Sequence, residues 1–224
     1  LVLWWLAVVY TDLLCFGQMG YRSVYVKTLV TKILLFVDGA VLASLVIACS
    51  LYLSFRFSRG QSILNLPPDT LRMFQAIIFV GAALTVLVSG LIFGLVAANR
   101  WETFLLFFNR LSFGVADPQF GLDASFYIIT LNLLNFVQSW ILGLIVVTIV
   151  ASVTLYISIF TLRGVSLGLT QGMLRHSAIL GLFLMLILGS SHILDVYELV
   201  LSSGGVVYGA GYADVHARIP VLWF

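Results

Sequence analysis

Charged residues are scarce: Asp and Glu number 9 and Lys and Arg number 11 among 224 residues, 9% in all. A soluble domain carries roughly 25% charged residues, so this chain cannot clothe a water-facing surface. A net charge of only +2 excludes the broad basic face that nucleic acid demands, and no nucleic-acid partner is expected. Two cysteines, Cys15 and Cys49, are too few for a disulfide framework. Cys49 lies in an apolar run and reads as a small packed hydrophobe. The three histidines form no paired helical ligand set and no CxxCH occurs, so the cofactor content stays unknown. The nucleophile elbow, the HExxH motif, the P-loop and the dinucleotide fingerprint are all missing. Nothing therefore points to an enzyme.

What is present is apolar length. Hydrophobic residues make up 62% of the chain and the mean hydropathy is +1.13. A helix needs about 20 residues to cross a bilayer at about 1.5 Å per residue. Spans are expected near 33–55, 74–98, 137–159 and 177–194, with 1–10 as the tail of an earlier one and 11–32 as a mixed segment. Residues 1–224 read as a single transmembrane domain, and as a fragment. The run from Ser125 to Thr161 carries no charge over 37 residues; at about 1.5 Å per residue it overshoots the hydrocarbon, so 126–136 is expected to be an approach outside the span. Gly90 and Gly94 stand at GxxxG spacing, which lets helix backbones approach closely in lipid. Trp101, Phe104, Leu105 and Phe108 share helical spacing and suggest a short helix lying in the interface. Asp69 or Thr70 is placed to cap the helix that follows Pro67 and Pro68.

Between the apolar runs lies a polar island, Phe113–Tyr127, holding Gly114, Asp117, Pro118, Phe120, Asp123 and Phe126. A second such region is 202–220, glycine-rich and including Tyr212, Asp214 and Pro220. Basic residues in short loops mark the cytoplasmic side. Arg56, Arg59 and Arg72, and then Arg163 and Arg175, put their loops inside, so 113–127 and 202–220 fall on the extracytoplasmic face. Arg22, Lys27 and Lys32 break this rule.

Three sets of residues could carry chemistry. Asp117, Asp123, Asp195 and Glu198, with Asp214, His192 and His216 near them in sequence, are candidate metal ligands by donor type. The competing reading is that Asp117 and Asp123 cap turns and helix starts. Asp38 is an intramembrane acid, which insertion scales price at roughly 2.5–3.5 kcal/mol at mid-membrane. It should face protein or water, either coupling a proton or an ion, or making a buried hydrogen bond to a neighbouring helix, or standing as a protonated acid. His176, beside Arg175 at a helix start, is expected at the interface.

The strings FGVADPQFGLDASFY, LDVYELVLSS and GVVYGAGYADVHARIP, in this order and between these spans, resemble uncharacterised protein family 0182, multi-spanning proteins of bacteria including cyanobacteria. GYRSVYVKTLVTKILLF is similar to the family's second-span entry. The resemblance implies an N-terminal membrane domain of about seven helices followed by a large extracytoplasmic region; it carries no activity. Asn132 stands where the family often has proline, Val196 replaces arginine and Ala213 replaces threonine. Without that proline the 125–161 segment is free to run on as helix.

The fold class expected is all-α, a polytopic transmembrane helical domain with an interfacial helix and structured external loops. The function expected is a non-enzymatic scaffold, anchor or assembly subunit. Its partners would be the lipid bilayer and other membrane subunits, or a large external domain of the same chain. The alternative is a transporter or channel component. The location expected is the bacterial plasma membrane, with the cyanobacterial thylakoid as alternative. Residues 113–127 should latch against 205–220.

Overall fold

The computed structural model describes residues 2–58, 68–163, 170–202 and 209–222. It is all-α, and no strand forms among the described residues. The helices are α1 (Val2–Gln18), α2 (Arg22–Phe57), α3 (Pro68–Ala98), α4 (Trp101–Phe108), α5 (Leu131–Arg163), α6 (Gln171–Glu198) and α7 (Ile219–Leu222). A π-helical turn over Phe126–Thr130 leads into α5, and another over Asp214–Arg218 leads into α7. Four helices are long and apolar enough to cross a membrane: Arg22–Phe57, Arg72–Ala98, Phe126–Thr161 and Gln171–Leu201.

The helices are longer than the apolar runs. The mixed segment 11–32 is almost wholly helical: α1 continues to Gln18, and α2 opens at Arg22 after a turn at Gly20, whose φ of 78° suits glycine. Arg22, Lys27 and Lys32 therefore ride on helix, not loop. Residues 126–136 are likewise helix and continuous with α5. Lys32 lies over the Trp101 ring at 5.1 Å, which gives a cation in the first third of α2 an aromatic partner. Pro68 opens α3, where a missing N–H costs nothing, so Asp69 and Thr70 sit inside the first turn rather than capping it.

α2 is the central helix, and its closest neighbour is α3. The seam between them is built from the absence of side chains. A Cβ on Gly94 would stand 2.7 Å from the Phe36 carbonyl oxygen and 2.9 Å from the Ala40 Cβ. One on Gly90 would meet the Ser44 hydroxyl at 2.2 Å, and one on Gly39 would meet the Ala97 Cβ at 2.9 Å. The GxxxG pair thus packs α3 on α2, with Gly39 answering from the other side. Close backbone contact of this kind supplies the attraction that apolar burial cannot supply in lipid. α5 closes on the same axis through Ala43, Ile47, Leu51, Leu144, Leu155 and Ile159. Trp140 packs edge-on to Phe93 at 5.3 Å and donates its indole N–H to the Phe93 carbonyl at 3.1 Å.

Two expectations fail here, those for Cys49 and His176. Cys49 is exposed on the outer face of α2, and both cysteines are free. The short helix expected around Trp101–Phe108 forms as α4, with Trp101, Phe104 and Leu105 partly covered and Phe108 77% exposed. Phe104 is the anchor, edge-on to Phe136 of α5 at 6.0 Å. His176, expected at an interface, is 5% exposed inside the bundle.

Gly94→Val should part α2 from α3, since forcing extra carbons into a close-packed contact costs about 1–3 kcal/mol. Thermal unfolding in detergent should show a clear loss for Gly94→Val and none for Gly181→Ala, where an added Cβ meets nothing within 4 Å.

Candidate functional site

Two polar constellations stand out in the apolar bundle, one at each end. The first is the loop between α4 and α5. Asp117 and Asp123 organise it from its two halves. The Asp117 carboxylate accepts from the backbone N–H of Gln119 at 3.1 Å and of Phe120 at 2.7 Å, and from the Tyr127 hydroxyl at 3.1 Å. The Asp123 carboxylate accepts from the Ser112 hydroxyl at 2.6 Å and from the N–H groups of Ser125, Gly114 and Phe113 at 2.8, 2.9 and 3.1 Å. An isolated antiparallel bridge pairs Ala116 with Asp123, with Asp117 N–H bonded to the Leu122 carbonyl at 2.8 Å and Ala124 N–H to Val115 at 2.8 Å. Gly114 and Gly121 take the left-handed φ values of 71° and 68° that these turns require.

The Ser112 hydroxyl, then that of Ser125 and the surrounding N–H groups, hold the Asp123 carboxyl well below the usual carboxylate range. Both aspartates spend their oxygens on the loop itself, which is turn capping. No group of three or more His, Cys, Asp or Glu side chains that could hold a metal ion exists among the described residues.

The loop is also clamped to its neighbours. Phe120 packs against a buried cluster of Val196 and Leu199, at the end of α6, and Ile219, and Ala210 and Leu222 pack against the same cluster. Tyr197 receives Phe120 at 5.3 Å and Phe126 at 5.4 Å. Of the segment 205–220, Ile219 belongs to the cluster that Phe120 packs on, and Ala210 packs on that cluster as well; residues 203–208 lie outside the described residues. Tyr212, Asp214 and Pro220 take no part in that cluster. Tyr212 is 81% exposed and stacks on His216 at 4.0 Å. Asp214 accepts from the Gly211 N–H at 3.0 Å and faces Arg218 at 3.9 Å, while Pro220 is exposed within α7. Phe113 is 51% exposed, Pro118 is exposed, and neither belongs to the cluster.

Beside the clamp a cleft of about 610 Å³ opens between α5 and α6, lined by Asn132, Asn135, Asp195, Glu198, Ser202 and Arg218 among others. Asn135 donates to Glu198, and His192 sits 3.6 Å from Asp195 with both side chains more than half exposed. The sequence candidates are thus split. Asp117 and Asp123 hold the loop, while Asp195 and Glu198 line the cleft.

The second constellation is at the opposite end. His176 of α6 places Nδ1 2.9 Å from the Tyr156 hydroxyl and Nε2 3.2 Å from the Ser50 hydroxyl, and Ser50 meets Ser152 at 2.8 Å. Ser54 donates to the Ser50 carbonyl at 2.9 Å. All five side chains are buried, and they come from α2, α5 and α6. Buried hydroxyls and an imidazole sharing bonds in this way tie three helices at one point. Ser152 is 1% exposed and Ser50 5%, so these hydroxyls face the helices they join. The sequence gives one hint of it: the Ser50–Ser54 and Ser152–Tyr156 pairs each repeat at one helical turn.

The family model of an uncharacterised protein family, UPF0182, matches residues 1–224. A UPF0182 protein of Mycolicibacterium vanbaalenii is 33% identical over 223 residues, covering 94% of this chain and 22% of the relative. One from Thermobifida fusca is 34% identical over 220 residues, with 93% and 21% covered. One from Salinispora tropica is 31% identical over 227 residues, with 98% and 23% covered. The chain thus spans 22% of the length of the first of these relatives. No solved structure matches.

Two outcomes follow from this geometry. Because folding depresses the Asp123 carboxyl, its ionised form stabilises the loop above the unfolded value near 4, and that stabilisation is lost as pH falls below it. Pepsin cleavage within 112–125 should rise between about pH 4 and about pH 2 in the native protein and change far less in Asp123→Asn. At the other end, Tyr156→Phe leaves a buried imidazole nitrogen without its partner, which should cost about 1–3 kcal/mol of thermal stability.

Proposed function

The chain belongs to the uncharacterised protein family UPF0182, and from that premise we propose that it is a non-enzymatic membrane scaffold that holds external protein mass on a fixed platform. The observation that carries this reading is the clamped loop. A segment of fifteen residues at one end of the bundle, Phe113–Tyr127, is bonded to itself through two aspartates and pinned through Phe120 to α6 and α7. A rigid, aromatic-anchored surface of this kind suits attachment of a domain or partner, since a surface that is already ordered loses little entropy on docking.

The basic residues at the other end, Arg56, Arg72 and Arg175, support a cytoplasmic placement for that end and an extracytoplasmic one for the platform. The bacterial relatives favour the plasma membrane over the thylakoid. The platform would serve either the region that the longer relatives carry beyond the matched segment or a separate subunit of a membrane complex.

One observation favours a second reading, a transporter or channel component. The His176 node places a titratable ring among hydroxyls in the interior of three helices, the kind of group on which ion-coupled transporters rely.

Purification in mild detergent followed by mass analysis separates the two. The scaffold reading expects an external domain or a subunit at fixed stoichiometry, lost when Phe120→Ala loosens the platform. Ion flux in liposomes that disappears in His176→Gln, with no retained partner, would replace it by the transporter reading.

A further inference from the structure

We propose that the Asp38 face of α2 is the docking surface for a further transmembrane helix of the same protein, lying outside residues 1–224 and presenting a cationic or amide donor to the Asp38 carboxylate. The inference does not depend on the scaffold reading, because it concerns a different surface.

Asp38 is exposed on the outer face of α2. No hydrogen bond or ion pair engages it among the described residues. Its neighbours on that face are Leu34 at 55% exposure, Val41 at 50%, Leu42 at 55% and Leu45 at 62%. The carboxylate is thus set within an apolar strip, with large aliphatic side chains one turn away in both directions, rather than at its polar rim. Depth agrees with this. Asp38 follows Lys32, the cation seated on Trp101, by about 9 Å along the helix axis, and precedes Arg56 by about 27 Å. Lys32 and Arg56 are therefore about 36 Å apart, close to the roughly 30 Å of hydrocarbon plus its edges. Asp38 is submerged.

Acids at such depth almost always face the bundle interior or a water-filled cavity and pair with another group. Here the interior of α2 is taken by the Gly39 and Gly94 seam on the other side. A partner must therefore come from outside. A second copy of this chain does not fit, because a two-fold contact across the face would bring Asp38 against its own copy, and like charges in low dielectric repel. A helix with Lys, Arg, His, Asn or Gln at matching depth does fit. The relatives continue well beyond the matched region, which fills 22% of the length in the first of them, and so have chain from which such a helix can come.

The test uses the full-length protein in its native membrane, with a benzophenone amino acid in place of Val41 or Leu34. After irradiation, peptide mass spectrometry should find a cross-link to a segment of the same protein outside residues 1–224 that carries a donor side chain. Adducts to lipid alone, to a different protein, or to α2 of a second copy would each overturn the proposal. A second measurement covers variants that fold poorly. Asp38→Leu should lower the thermal stability of the full-length protein and reduce that cross-link by about a hundredfold or more, the loss expected when a buried charge is left alone. If Asp38→Leu makes the protein more stable, the acid faces lipid and the helix does not exist.

Discussion

In hydrocarbon there is no water to satisfy a polar group, so each one that enters the bundle has to find its partner there. That constraint accounts for most of the structure. Thr148 gives its hydroxyl to the Leu144 carbonyl, Trp140 its indole N–H to Phe93, and Gln138 its amide to Ile187. The His176 node meets the same demand between helices. Among the described residues no buried side-chain nitrogen or oxygen is left without a partner. Inside this bundle polar side chains bond to one another or to backbone, while Asp38, on the outer face of α2, meets no partner among the described residues.

α2 is where these solutions meet. One stretch of it offers Gly39 and Ala40 to α3, the next offers Ala43, Ile47 and Leu51 to α5, and the last offers Ser50 and Ser54 to α5 and α6. The three contacts use different physics along one rod: bare backbone approach, aliphatic packing, and hydrogen bonding. Each suits its level. The glycine seam lies toward the looped end, where α3 finishes, and the hydroxyl node lies near the far end, where α6 begins.

The all-α fold was legible because apolar length is a one-dimensional signal. Helix ends were less so, since Arg22, Lys27 and Lys32 interrupt the hydropathy without interrupting the helix. The GxxxG pair and the loop aspartates could be read locally, as their partners are within a few residues or follow from the residue type. His176 could not. Its hydroxyl partners Ser50 and Tyr156 are 126 and 20 residues away in sequence, and a histidine next to an arginine looks interfacial until three helices are in place. Val196 was legible only as a departure from the family's arginine: it stands between Asp195 and Tyr197-Glu198, yet it is fully buried in the cluster on which Phe120 packs.

The π-helical turn at Phe126–Thr130 joins the platform to the bundle, and it sets an angle as well as a connection. A turn of this kind holds one residue more than its α-helical counterpart. Removing a single residue there would let α5 wind regularly to its start and swing the loop about 100° around the helix axis. The platform's bearing relative to the membrane helices is thus encoded by one residue of length, and relatives differing by that one residue would present the same surface in another direction.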